Sequence, residues 1–365
     1  MEILQKEKGN YFYEYACEDF IIGMRFANHT DAPQISNLYI NEYGYDYVDP
    51  VVYSSAKLFM KLWDTSKNIW MVGENLIDKE IAAVSLLELN KKVVYSGKTI
   101  LNPKFRGINL GSVLSYNCLS KILELGLIDN YIKIDSAVRP RTGTLRLTES
   151  ANGIAYGFFP DYHVLGDKRN HPRDPTKPFN EGYTESAFLY FAVLPKMHKC
   201  REEMVYIFDD ELLFFLYDFV RNFKRTMKIV MKNDRLIMSK GARIKEKKIP
   251  QLEVVLDPLN SRITILGASN ISYMKKVCKM FRNYHIIIWK IPTSIEGINS
   301  MKHAFELGFK AIGYDVASIE SKNSGLYHDS VIFTYYNKEV TDTFENIKTS
   351  SKNKELFERI ETQFY

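Results

Sequence analysis

The chain has 365 residues, 45% of them hydrophobic and 25% charged, with 49 basic against 44 acidic side chains and a net charge of +5. That length favours two domains over a single core, and the composition is globular rather than disordered or fibrous. So small a basic surplus excludes the concentrated charge of a nucleic-acid binder, and no run approaches the ~20 apolar residues that cross a bilayer.

In chain order, FIIGMRFA reads as a strand. HTDAPQISNLYINEYG reads as a helix, capped by Thr30 or Asp31, with Pro33 in its first turn. An aromatic loop, EYGYDYVD, leads into a second helix through SSAKLFMKLWDT, and NIWMVGEN, EIAAVSLLELN and VVYSGKTIL follow as strands. The turn LNPKFRGINLGSVL opens a helix running to Leu127; IKIDSAV is a strand, ESANGIAYGF a short helix and YTESAFLYFAVL a strand. Three prolines and scarce apolar residues make GDKRNHPRDPTKPFNEG a surface loop. This first block ends near Lys196, giving a domain over 1–196.

A second domain is expected over 197–337, with a polar tail over 338–365 in which LFERIETQF could dock. EEMVYIF and DDELLFFLYDFVRNF suggest a strand and a helix, followed by two basic, alternating segments, TMKIVMKNDRLIMSK and ARIKEKKIPQLEVVLDP. Strand, helix, strand, helix, strand, strand then read from SRITILG to SVIFTYYN. SMKHAFELGFKAIGYDVA echoes ESANGIAYGFFPDYHVLGD, each passing from a short helix through a Gly-Phe pair into a strand. The echo is a faint internal repeat. Only the first copy carries the glycine turn; its counterpart reads LGASNISYMKK.

Glycines between a strand and a helix place free backbone N–H groups and the positive end of a helix dipole in one volume, which suits a phosphate. Pro103, Arg106, Gly107, Asn109 and Gly111, together with the order of elements around them, resemble the signature of the Gcn5-related N-acetyltransferases (GNAT) over about Phe20 to Leu194. Asn109 replaces the first signature glycine, a substitution that Asn tolerates best among non-glycine residues. The resemblance implies an α/β fold, with a mixed, mostly antiparallel central sheet flanked by helices, and a second, smaller α/β domain of related, degenerate topology. It also implies acyl-CoA, acetyl-CoA first, as co-substrate and no metal. Arg106, Gly107, Ile108, Asn109, Leu110, Gly111 and Ser112 would hold the pyrophosphate through their backbone, and the strand edge at Ile100 and Leu101 would pair with the pantetheine arm.

The family's usual Glu falls by register on Tyr95, and its usual Tyr on Gly153. Tyr95 is the candidate catalytic residue, with water, Tyr156 and His163 as alternatives; a phenol of ordinary pKa ~10 is a poor base. Tyr45, Asp46 and Tyr47 of the aromatic loop and His163 beyond the Gly-Phe pair are candidate acceptor contacts. The expected reaction is direct attack by an amine of a small molecule or peptide on the thioester, since no nucleophile stands out. The alternative is a non-catalytic acyl-CoA-binding or interaction module. No nucleic-acid or membrane partner is expected, and a homodimer is left open.

Other signals carry less. SGKT lacks the upstream glycine of a P-loop, position 92 being Lys. His163, His171, His198 and Cys200 have no zinc spacing. Cys17, Cys118, Cys200 and Cys278 form no CxxC pair and read as reduced thiols, which with an N-terminus lacking a signal peptide's apolar core points to the cytoplasm. The basic run GARIKEKKIP reads as a solvated tip or linker.

Overall fold

Most of the apolar runs enter one 13-stranded sheet. The computed structural model describes residues 7–17, 19–140, 143–167, 182–241, 252–321, 324–342, 344, 347 and 349–365. His171, the basic run after Gly241 and all but the ends of the proline-rich loop lie outside them.

The first half begins with an antiparallel meander: β1 (Tyr11–Cys17), β2 (Phe20–Phe26), β3 (Asn68–Asn75), β4 (Ile81–Asn90) and β5 (Val93–Leu101). β6 (Lys133–Val138) joins β5 in parallel, and β8 (Tyr183–Val193) then β7 (Ile154–Leu165) complete this half in antiparallel pairing. β3 shows why both faces are covered. Trp70 and Val72 pack with α1 (Ala32–Tyr43) and α2 (Ser55–Trp63), while Ile69 and Met71 pack with α3 (Leu110–Glu124) on the other face. The result is the mixed, mostly antiparallel sheet flanked by helices that was expected.

Local details differ from the sequence reading. The cap before α1 is Asn28, whose side chain accepts from Thr30 N at 2.9 Å while Asp31 accepts from Asn28 N at 2.8 Å. Asp31 is drawn away from capping α1 itself by a two-bond contact with Arg25, at 2.8 and 2.9 Å. The helix assigned to ESANGIAYGF lies earlier, as α4 (Thr144–Ser150). Ile154 to Phe159 are buried in β7 instead, because the central strand of so wide a sheet needs apolar residues on both faces. β1 was not anticipated; its mostly exposed residues mark an edge strand without a clean alternation.

The second half supplies a small parallel pair, β9 (Met204–Phe208) and β10 (Arg235–Ser239), and five strands of the large sheet. TMKIVMKNDRLIMSK splits into a helical turn, Arg225–Val230, and β10. The five strands are β11 (Glu253–Asp257), β12 (Arg262–Leu266), β13 (Ile286–Pro292), β14 (Lys310–Glu320) and β15 (Tyr327–Tyr336). With α5 (Glu211–Phe223) before them and α6 (Ile271–Met280) and α7 (Ile295–Glu306) between them, their order repeats β4, β5, α3, β6, α4, β7, β8. The repeat is in a different register from the Gly-Phe alignment. Gly157 pairs with Gly313 across the junction of β7 and β14. Aligning these two glycines also aligns the bulges of both strands, and Asp161 with Ala317, at φ +53 and +50.

Steric exclusion fixes that junction. A Cβ on Gly157 would lie 2.7 Å from the Ile312 carbonyl oxygen, and one on Gly313 would lie 2.6 Å from that of Tyr156. Buried charges cross the same boundary. Lys133 contacts Asp315, which accepts from Lys290 at 2.8 Å, and Asp135 stands 3.4 Å from Lys133. A last helix, α8 (Lys354–Glu361), buries Leu356 and Ile360. Phe357 packs edge-on to Phe158 at 5.0 Å, while Gln363 bonds both the N–H and the carbonyl of Ala311. LFERIETQF thus docks on both halves.

Gly157→Val is expected to destabilise the protein by about 1–3 kcal/mol or more through overpacking against backbone, read as a lowered urea midpoint. A second prediction concerns pH. Burial raises the Asp135 carboxyl to about 6, with Lys133 opposing and Asp315 reinforcing the shift. A folded pKa above the unfolded one contributes stability at low pH that is lost as pH rises through the folded value. Asp135→Asn should therefore be more stable than the parent at about pH 8, by about 1–3 kcal/mol, and nearly equal to it near about pH 4. Urea titrations at the two pH values check the sign.

Candidate functional site

β5 and β6 start as a parallel pair and then part. Val93, Val94 and Tyr95 face Lys133, Ile134 and Asp135, while Ser96 to Leu101 have no partner in β6. On its other side β5 stays paired with β4 to Leu101. The exposed edge presents backbone donors and acceptors to a cleft of about 1630 Å³. The second half shows what the same topology does without parting: β12 pairs with β13 along its whole length, from Arg262↔Ile286 to Leu266↔Lys290.

The glycine turn closes one end of the cleft. Asn102 caps the short 3-10 turn Pro103–Phe105, accepting from Lys104 N. Gly107 (φ +86) and Asn109 (φ +59) then reverse the chain in left-handed backbone, the conformation that Gly and Asn adopt at least cost. α3 begins at Leu110 without a side-chain cap and without an acidic residue in its first turn. In the second copy Asn270 caps α6 through Tyr273 N at 2.9 Å. The first turn of α3 therefore offers uncapped N–H groups to the cleft, and the helix dipole favours an anion there. Gly111 leaves room: a Cβ would meet nothing closer than Leu101 Cδ1, at 3.5 Å.

Of the residues expected at the cofactor end, Ile100, Leu101, Arg106, Gly107, Asn109, Leu110, Gly111 and Ser112 line the cleft. Ile108 does not; it packs against the α3 core, and its carbonyl accepts from Tyr15 Oη at 2.8 Å. Arg106 reaches Glu42 of α1 at 2.6 Å and the Leu101 carbonyl at 3.2 Å, tying the turn to the opposite wall.

Tyr95, Tyr47 and His163 also line the cleft, whereas Tyr45 and Asp46 do not. Tyr45 sits edge-on to Tyr53 at 5.2 Å, and Asp46 N bonds the Tyr43 carbonyl, so the loop turns these residues away from the opening. Tyr156 is buried, 5.7 Å from the Lys133 ammonium, outside the cleft lining. Gly153 borders the cleft after α4, but a side chain there would strike the Thr148 carbonyl at 2.7 Å. Burial deep in the fold pushes the Tyr95 phenol well above its ordinary 10. It stays protonated at neutral pH. Its ring runs along the strand over Gly97, where a Cβ would lie 2.8 Å from Tyr95 Cε1.

Three features escaped the sequence reading. A bulge sets Lys98 and Thr99 of β5 opposite Ser85 alone, with Lys98 at φ +54. Lys98, dismissed with SGKT, is anchored there: its carbonyl accepts from Tyr39 Oη, and its ammonium contacts Asp49 at 3.0 Å and Glu88. Burial works against the Lys98 charge, but the two carboxylates outweigh it and raise the pKa. Arg139 spans Tyr43 Oη at 3.1 Å and Glu185 at 3.0 Å. Finally, Leu259, Asn260 and Arg262 reach the cleft from the second half. A lysine in a glycine-containing strand was the available signal for the bulge; contacts across the halves had none. Among the described residues no group of three or more His, Cys, Asp or Glu is placed to hold a metal ion, and no helix is long and apolar enough to cross a membrane.

No family model matches the chain, and no curated protein matches it. Solved structures match about half of it. A ribosomal-protein-S5-alanine acetyltransferase from Vibrio fischeri is 11% identical with a TM-score of 0.39, covering 50% of this chain and 96% of that one. A GNAT-superfamily phosphinothricin acetyltransferase from Sinorhizobium meliloti, in complex with AcCoA, is 13% identical with a TM-score of 0.37, covering 48% and 89%. A spermidine N-acetyltransferase from Vibrio cholerae is 16% identical with a TM-score of 0.36, covering 48% and 95%.

Proposed function

We propose that the chain is an acyl-CoA-dependent N-acyltransferase, with acetyl-CoA as first candidate donor and an amine as acceptor. The observation that carries this is the parting of β5 from β6 beside an uncapped helix N-terminus, in the copy that has the glycine turn and not in the other. An extended pantetheine arm can add to the free edge of β5 by main-chain hydrogen bonds. N–H groups of the turn and of Leu110 to Ser112 can receive a pyrophosphate. The site then works chiefly by alignment, which is worth roughly 7–11 kcal/mol for two well-placed reactants.

In the reaction the amine nitrogen forms a bond to the thioester carbon as the carbon–sulfur bond breaks. The nitrogen loses a proton to water or to the Asp49–Glu88 wall, and the leaving thiolate departs beside the protonated Tyr95 hydroxyl, which gives it a hydrogen bond, and leaves as the anion or takes its proton from solvent. Amide and CoA are the products. One observation favours a second reading, in which acyl-CoA is bound and not turned over: Glu42, Asp49 and Glu88 are each ion-paired to a cation. Release of CoA thiol in the presence of amines separates the two.

Calorimetric titration with acetyl-CoA and with CoA is expected to show micromolar binding, and Gly111→Gln to weaken it at least about tenfold while the melting temperature changes little. No binding by the parent protein would end both readings. Tyr95→Phe is expected to lower kcat about 10–100-fold with acetyl-CoA affinity retained, as for loss of a hydrogen bond to the developing thiolate.

A further inference from the structure

β12 belongs to the second half, yet its first residue, Arg262, lines the first half's cleft. The guanidinium lies over the Tyr162 ring, with Cζ 4.0 Å from the centroid. Nε donates to Asp257 at 2.7 Å and Nη1 donates to the Tyr162 carbonyl at 3.0 Å. These contacts use part of the arginine's fan of N–H donors; among the described residues no acceptor meets the rest. Stacking and two anchors fix the plane of the group, the condition for two-point recognition of a flat anion.

Arg262 is thus paired with Asp257 through Nε alone, whereas the other cations deep in the cleft spend terminal nitrogens on carboxylates. Arg106 is held by Glu42, Lys98 by Asp49 and Glu88, and Arg139 by Glu185. The Lys98 cluster also leaves a residual negative charge, since two carboxylates face one ammonium. Tyr95 lies within electrostatic reach of both Glu88 and Arg262. The space around Tyr95 therefore has an acidic side on β4 and α1's loop, and on the other side a guanidinium from the second half, paired with Asp257 through Nε.

We infer that the acceptor carries its amine and a carboxylate on one small molecule, as a free amino acid does, and that Arg262 binds the carboxylate while the Asp49–Glu88 wall draws the ammonium. The inference rests on the acyltransferase reading above. It gives the second half a role: it is the specificity element of a site whose acyl-CoA end lies wholly in the first half.

The test uses the full chain. Thiol release from acetyl-CoA is followed over a panel of free L-amino acids, each beside its own carboxamide, and binding of the same panel is read by saturation-transfer NMR. The best amino acid should exceed its carboxamide by at least about tenfold in kcat/KM, the scale of a hydrogen-bonded charge pair. Arg262→Met should abolish that preference through KM, leaving the carboxamide within about twofold and acetyl-CoA affinity unchanged, and Arg262→Lys should restore part of it. Equal use of acids and carboxamides by the parent protein would overturn the inference. So would a Met variant that loses both alike, or a protein that binds acetyl-CoA but neither binds nor acetylates any amino acid. If acetyl-CoA itself does not bind, the acyltransferase reading falls, and the NMR comparison of acids with carboxamides still decides the Arg262 site. Should Arg262→Met not fold, the Lys variant and the parent's ratio decide it.

Discussion

At Gly157 and Gly313 two backbones pass too closely for a side chain on either. This close approach turns two small sheets into one, because β7 and β14 are the last strands of their respective halves to be covered and each becomes the other's neighbour. Burial of the Lys133–Asp315 pair depends on it, since the two charges come from different halves. The position of β12 over the cleft depends on it as well, and with it the reach of Arg262 into the first half.

The chain builds one topology twice and puts it to two uses. In the second half β12 is paired with β13 to its own end, and Asn270 caps the following helix with its own side chain. The edge of β12 and one N–H of the helix's first turn are thereby already used. In the first half, parting after Tyr95 and a helix that starts on a left-handed asparagine leave the corresponding groups open. The difference lies in few residues: Gly107, Asn109 and Gly111 in one turn against Gly267 and a side-chain cap in the other. Binding capacity here is a matter of which backbone hydrogen bonds the protein declines to make.

Much of this was legible in the sequence. Strand and helix assignments in the first half followed from periodicity, and the turn from Leu101 to Leu114 announced itself by placing glycines where a strand meets a helix. The helix assigned near Gly153 failed because β7 opens on a continuous apolar run, Ile154 to Phe159, and such a run carries no period. Tyr45 and Asp46 were misplaced for another reason: which side of a loop faces a cleft is set by tertiary hydrogen bonds, such as Asp46 N to the Tyr43 carbonyl. The Lys98 bulge and the Arg262 contact were invisible because one needs strand register and the other a neighbour far along the chain. The repeat was detected but misaligned. Its true anchor, the glycine pair, is conspicuous only once the strands lie side by side.

The staple formed by α8 has a consequence for how the molecule is made. Phe357 completes the packing around Phe158 and Phe188 of the first half, while Gln363 covers the edge of β14 in the second. Synthesis on the ribosome proceeds from the N-terminus, so β7 waits with part of its apolar face uncovered while some two hundred further residues are added, a span on the order of ten to forty seconds. Within that interval the glycine turn and the free edge of β5 come first, and the wall formed by Leu259, Asn260 and Arg262 is added to them later.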